Sequence, residues 1–117
     1  MNTFICYEKC STCKKAEKFL KDNNISFIKR NIKQNNPTKE ELDNFVKLSG
    51  NDIKSFFNTS GLVYKELKLK DKLPGMSYDE KLDILSTNGM LVKRPILVTK
   101  NKVYVGFNEK KWNDLIK

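Results

Sequence analysis

The sequence predicts a small α/β domain with a mixed sheet of about four strands, and three observations carry that prediction. Short runs rich in β-branched and aromatic residues stand near both ends of the chain. A helix-period pattern follows the first run directly and leads into the second, the order of a strand–helix–strand unit. Between the second and third runs lies a long stretch of short helical patterns without a repeat, a low-complexity tract or a linker. With 117 residues the chain suits one domain, spanning 1–117, and is long enough to bury a core without metals or disulfides as staples.

Thr3 to Tyr7 is the first strand. From Ser11 the residues Cys13, Ala16, Phe19 and Leu20 recur at helical spacing, and the helix runs out near Asn23 and Asn24. Ser26 to Ile32 reads as the second strand, parallel to the first because a right-handed helical crossover joins them. A helical insert spans about 38–90. It opens with the capping box Thr38-x-x-Glu41 and the apolar triad Leu42, Phe45 and Val46, stopped by Ser49-Gly50. Ile53, Phe56 and Phe57 mark a second helical piece, Leu62 to Leu67 a third, and the box Ser77-x-x-Glu80 a fourth that closes at Asn88-Gly89. After Arg94-Pro95 come the strands Ile96 to Thr99 and Val103 to Val105, joined by a hairpin turn at Lys100-Asn101. A final helix begins near Asn108 and carries Trp112, Leu115 and Ile116 on one face. This order, βαβ, helical insert, ββα, is that of a thioredoxin-like fold of the glutaredoxin type.

Composition narrows the chemistry. The chain has no histidine, which removes Ser-His and Cys-His relays, the common His-ligated zinc sites and any imidazole base. The net charge of +9 is spread evenly along the chain, with lysines interleaved among acidic residues as on solvated helix faces. No arginine-rich stripe or aromatic-basic motif suggests direct nucleic-acid binding. No run reaches the roughly 18 apolar residues of a membrane span, and the N-terminus has no signal-peptide pattern, so a cytoplasmic protein without a membrane contact is expected.

The obvious nucleophiles are the three cysteines, all within Cys6 to Cys13. Cys10-Ser11-Thr12-Cys13 sits where the first strand turns into the first helix. There, unpaired N–H groups and the positive end of the helix dipole favour a thiolate, and Lys9, Lys14 and Lys15 add positive charge. Helical phase turns Cys13 toward the core and leaves Cys10 open. Cys10 is therefore the candidate nucleophile and Cys13 the resolving thiol of an internal disulfide, reduced by an external thiol system. The spacing Cys6-x3-Cys10-x2-Cys13 also matches a radical S-adenosylmethionine cluster motif, but Cys6 lies within a strand and the chain is too short for that chemistry. Structural zinc lacks a fourth ligand, so neither a metal nor a bound cofactor is expected.

Only two arginines, Arg30 and Arg94, occur among the 23 basic residues. Arg94 precedes Pro95 at the loop that faces the cysteine turn in a thioredoxin-like sheet, where an X-Pro bond is suited to a cis turn. Its planar fork suits a tetrahedral oxyanion or a carboxylate, and its charge favours a Cys10 thiolate. Arg30 reads as a solvated strand residue. The candidate catalytic set is Cys10, Cys13 and Arg94, with Ser11, Thr12, Arg94 and Pro95 against the substrate.

Cys10-Ser-Thr-Cys13-Lys-Lys-Ala16, Phe56-Phe57-Asn58-Thr59-Ser60-Gly61 with Tyr64-Lys65-Glu66-Leu67, Asn88-Gly89-Met90-Leu91 leading to Lys93-Arg94-Pro95-Ile96, and Val105-Gly106-Phe107-Asn108-Glu109 together resemble the ArsC/Spx family. The resemblance covers essentially the whole chain. It implies a thioredoxin-like domain with a helical insert, in a family that includes glutaredoxin-coupled arsenate reductases and the Spx regulator, which binds the RNA polymerase α subunit. The family nucleophile falls on Cys10 and the arginine before the proline on Arg94. Arsenate reductases of the family hold the oxyanion with two further arginines, whose positions align with Asn58 and Phe107, so one arginine stands here where that branch has three. A second cysteine at the place of Cys13 is shared with the Spx-like branch, whereas Asn58-Thr59-Ser60-Gly61 looks more like reductase-like members. The resemblance implies a thiol-dependent reductase of a small oxyanion or oxidised thiol, served by glutaredoxin with glutathione or by thioredoxin; a monomer is expected. The rival reading is a redox-sensing regulator of RNA polymerase.

Overall fold

The computed structural model describes residues 2–116. Its sheet is built from β1 (Asn2–Cys6), β2 (Phe27–Asn31), β3 (Ile96–Val98) and β4 (Val103–Val105) in the order β2-β1-β3-β4. β1 and β2 are parallel, with α1 (Ser11–Asp22) as their crossover, while β3 runs antiparallel to both β1 and β4. This is the mixed four-stranded thioredoxin-like sheet that the element order predicts. β4 has the predicted bounds, β1 lies one residue earlier than its run, and β2 and β3 are shorter than theirs. Tyr7, Ile32 and Thr99 fall outside them, and Thr99 closes the β3–β4 turn by exchanging hydrogen bonds with Lys102.

Alternation along the strands divides the interior into two layers. Phe4, Cys6, Leu97 and Tyr104 face α1 and pack with Cys13, Ala16, Phe19, Leu20 and Trp112. Ile5, Ile96 and Val103 face the other way, toward the helical insert. A period of two in the strands and a stripe at i, i+3 and i+7 in α1 are what bring these side chains together.

The insert begins with α2 (Lys39–Ser49), whose N-terminus carries the full reciprocal capping box of Thr38 and Glu41; Gly50 ends it in the left-handed region at φ +71°. A 3-10 turn (Ile53–Phe56) follows, then α3 (Leu62–Glu66), α4 (Leu69–Lys72) and α5 (Tyr78–Leu85), the last started by the Ser77–Glu80 box. α5 ends at Leu85, short of Asn88-Gly89, because those two residues open a separate 3-10 turn (Gly89–Leu91) in which the Asn88 side chain caps the Met90 N–H. The chain closes with α6 (Glu109–Trp112), capped by the Asn108 side chain, and a 3-10 turn (Asn113–Ile116).

Arg30 is not the solvated strand residue expected. Its guanidinium grips Glu41 with both terminal nitrogens at 2.7 and 3.0 Å and donates from Nε to the Asn35 carbonyl at 3.0 Å. The strand pattern carries no trace of this pairing, because Glu41 lies on α2 and is already occupied in the capping box. Arg30 thus ties β2 to the first insert helix and is spent on structure.

Candidate functional site

Cys10 occupies the N-cap position of α1 with an extended backbone, and its carbonyl accepts the first helical bond from Lys14. Its side chain is half-buried. The first N–H groups of a helix have no partner within it. Here those of Thr12 and Cys13, and the Cys13 thiol, favour the Cys10 anion, although Cys10 makes no side-chain cap hydrogen bond. Burial opposes ionisation of Cys10. These donors, with the positive charge of Arg94 behind them, outweigh it and hold the thiol below its ordinary range.

Cys13 is the reverse case. It is 3% exposed, within the α1 layer of the core, and its sulfur accepts the Tyr7 N–H at 3.3 Å. Burial is the largest influence and pushes this thiol up to about 12, the Tyr7 N–H pulling against it and the neighbouring Cys10 and Cys6 sulfurs adding to the rise. Two cysteines three residues apart are thus driven in opposite directions, Cys13 upward by burial and Cys10 downward by the donors at the helix start and Arg94. All three cysteines are free thiols.

Arg94 and Pro95 meet in a cis peptide bond immediately before β3. Pro95 is buried, and its carbonyl accepts the Gly106 N–H at 2.8 Å, joining the two loops on this side of the sheet. The Arg94 guanidinium lies over the Tyr7 ring, 5.2 Å from its centroid. Its Nε and Nη1 are buried without a hydrogen-bond partner among the described residues. Buried guanidinium donors are costly to leave unpaired, so this fork is set for an acceptor.

Cys10, Thr12 and Arg94 line one cleft of about 610 Å³. Ser11 is exposed at the start of α1, and neither it nor Pro95 lines the cleft. Asn58 and Phe107, far apart in sequence, are both in its wall. The insert reaches the cleft through the segment after its first 3-10 turn. There Asn58 N–H donates to Leu91 at 2.8 Å, Lys93 N–H donates to Phe56 at 2.8 Å, and Phe57 pairs with Val92. Phe107 is fixed from the other side by an edge-on contact with Trp112, whose Nε1 donates to the Gly106 carbonyl. Gly106, at φ +72°, leaves the space that the Lys93 side chain crosses; a Cβ there would stand 2.7 Å from Lys93 Cε.

The sequence pattern does not single out Tyr7 or Lys93, nor the apolar wall of Leu62, Val63 and Met90. Tyr7 reads as a strand end, and its two roles, an N–H on Cys13 and a ring under Arg94, belong to different partners that only the fold brings together. Among the described residues no group of three or more metal-ligating side chains converges, and no helix is long and apolar enough to cross a membrane.

Comparison with known proteins agrees with this architecture. The chain is 46% identical over 112 residues to the uncharacterized protein YusI of Bacillus subtilis, covering 96% of this chain and 95% of that one. It is 33% identical over 106 residues to the regulatory protein MgsR of the same organism, covering 91% and 82%. The crystal structure of an ArsC family related protein from Bacteroides fragilis superposes with a TM-score of 0.96 at 53% identity, over 97% of this chain and 96% of that one. The ArsC family model matches residues 6–115, a span that takes in the cysteine turn, the insert and the Arg94 loop, and the chain belongs to the ArsC family.

Proposed function

We propose that the protein is a thiol-dependent oxidoreductase in which Cys10 attacks a small oxidised substrate. The observation that carries this is the pairing, across one cleft, of a Cys10 thiol biased toward thiolate with an Arg94 fork that has two buried, unpaired nitrogens. Arg94 holds the oxyanion of the substrate or the developing charge of the leaving group. The Cys10 sulfur forms a bond to the oxidised atom, and the first leaving group departs with its electron pair. Cys13 then attacks the Cys10 sulfur and gives its proton to the departing group. The Cys10–Cys13 disulfide that results has lost two electrons, and the substrate has gained them. An external dithiol, glutaredoxin with glutathione or thioredoxin, returns the protein to its reduced state.

The family resemblance aligns Asn58 and Phe107 with two arginines of its arsenate reductases, so Arg94 is the one guanidinium of this cleft, with Lys93 as a second cation, and the site offers fewer paired donors to a multiply charged oxyanion than that branch does. The test supplies arsenate and a small organic disulfide separately, each with the glutaredoxin and the thioredoxin system in turn. Turnover with one donor, abolished in Cys10→Ser, is expected. Full thiol-dependent turnover by Cys10→Ser would end the proposal.

A second reading is favoured by the 33% identity to the regulatory protein MgsR. In it the same disulfide switches a surface around the Arg94 loop and thereby the binding of the RNA polymerase α subunit.

A further inference from the structure

Cys6 has no part in the mechanism above, yet it is not isolated. A second cleft, of about 430 Å³, opens on the α1 side of β1 and shares no lining residue with the Cys10 cleft. Cys6 and Cys13 both line it, together with Lys14, Glu17 and Lys29. Cys13 therefore stands between two openings, its sulfur close to Cys10 on one side and bordering the Cys6 cleft on the other.

The geometry at Cys13 bounds its distance from Cys6. The Cys13 sulfur accepts the Tyr7 N–H at 3.3 Å, and that nitrogen is bonded to the carbonyl carbon of Cys6. With standard backbone dimensions, the Cys13 sulfur lies within about 6 Å of the Cys6 Cα. Cys6 shares the inward face of β1 with Phe4 and packs in the same layer as Cys13 and Ala16. The two thiols thus belong to one packed layer between β1 and α1 and border one cleft, with backbones close enough for exchange to be tested.

We propose that Cys6 is a third redox thiol, which exchanges with a Cys10–Cys13 disulfide to form Cys6–Cys13 and so frees Cys10. The proposal rests on the reading that a Cys10–Cys13 disulfide forms. The Cys6 sulfur attacks the Cys13 sulfur, the Cys10–Cys13 bond breaks, and its electron pair leaves on Cys10 as a thiolate. The Cys6 proton passes to solvent, and no electrons are gained or lost overall. Cys10 is the best leaving group of the three, since the helix start and Arg94 stabilise its thiolate, whereas burial raises the Cys6 thiol. The exchange moves the oxidised bond from the substrate cleft to the second cleft, where an external dithiol reduces it with two electrons and two protons.

The test treats the reduced protein with bis(2-hydroxyethyl) disulfide, quenches with acid at intervals, alkylates the free thiols and maps disulfides by mass spectrometry. Wild type is expected to show Cys10–Cys13 first and Cys6–Cys13 later, with Cys10 again alkylatable. It then consumes a second equivalent of probe and carries it on Cys10. Cys6→Ala is expected to react with the first equivalent at the wild-type rate and stop there; Cys6→Val serves the same comparison if the alanine variant does not fold. Persistence of Cys10–Cys13 alone in wild type, with Cys6 alkylatable throughout, overturns the proposal while leaving the reductase reading intact. Formation of Cys6–Cys13 at an unchanged rate in Cys10→Ser overturns the route through Cys10. Absence of any Cys10–Cys13 disulfide overturns both.

Discussion

At the scale of single residues, the site runs on a contrast between two thiols. Cys10 and Cys13 have the same chemistry in solution, and burial disfavours both thiolates. What separates them is the donors. The Thr12 and Cys13 N–H groups and Arg94 favour the Cys10 anion, whereas Cys13 receives one N–H and two neighbouring sulfurs that resist its ionisation. The ultraviolet thiolate absorbance should therefore show a Cys10 midpoint below that of the unfolded chain, and Arg94→Gln should move it upward. An unchanged midpoint in that variant would remove Arg94 from the site's electrostatics. The asymmetry also sets where an adduct is trapped. Cys13→Ser should accumulate a mixed disulfide on Cys10, readable by intact mass after reaction with a small disulfide. Accumulation on Cys13 in Cys10→Ser instead would reverse the two roles.

At the scale of elements, one ion pair ties the first helix of the insert to the edge of the sheet. Arg30 on β2 and Glu41 on α2 form a bidentate pair, with the arginine side chain 16% and the carboxylate 38% exposed. Arg30 is the first cause of the Glu41 carboxyl falling to about 2, with the Thr38 N–H adding to it and burial opposing it. A carboxyl whose folded value is depressed contributes stability above its unfolded value, about 4.3, and loses it as pH falls through the folded one. Arg30→Gln should thus lower stability by about 1 kcal/mol near neutral pH, a figure discounted for the exposure of Glu41. The difference from wild type should shrink as pH falls from about 4.5 toward 2. Urea unfolding at several pH values measures it, and a difference constant across that window would mean the pair contributes nothing through charge.

At the scale of the whole molecule, the proposed oxidation of Cys10 and Cys13 would serve a reductase or a switch equally well, and a binding measurement separates the two. If the site is a reductase, retention on an immobilised RNA polymerase α subunit should be absent under both oxidising and reducing conditions. Binding in one redox state only, lost in Cys10→Ser, would favour the regulator. The cleft itself is a whole-molecule product. Its lining comes from the β1–α1 turn, from the insert at Asn58 to Val63, from the Arg94 loop and from Phe107 after β4.

The sequence by itself determined the element order, the two capping boxes, the strand-to-helix position of Cys10 and the inward turn of Cys13, because each follows from periodicity or from local hydrogen bonding. It also picked out Arg94, by the scarcity of arginine. The other arginine shows the limit of that argument. Arg30 looked solvated until Glu41 was brought to it from α2. The family resemblance already sets Asn58 and Phe107 at the substrate site, and their place in the Cys10 cleft agrees, whereas tertiary structure alone decided that Tyr7 serves both Cys13 and Arg94 and that Cys6 borders a cleft with Cys13. Those relations join residues of separate elements, where neither a period of two nor one of 3.6 carries information. They exist only once the two faces of the sheet have been covered and the loops at its end have been drawn together.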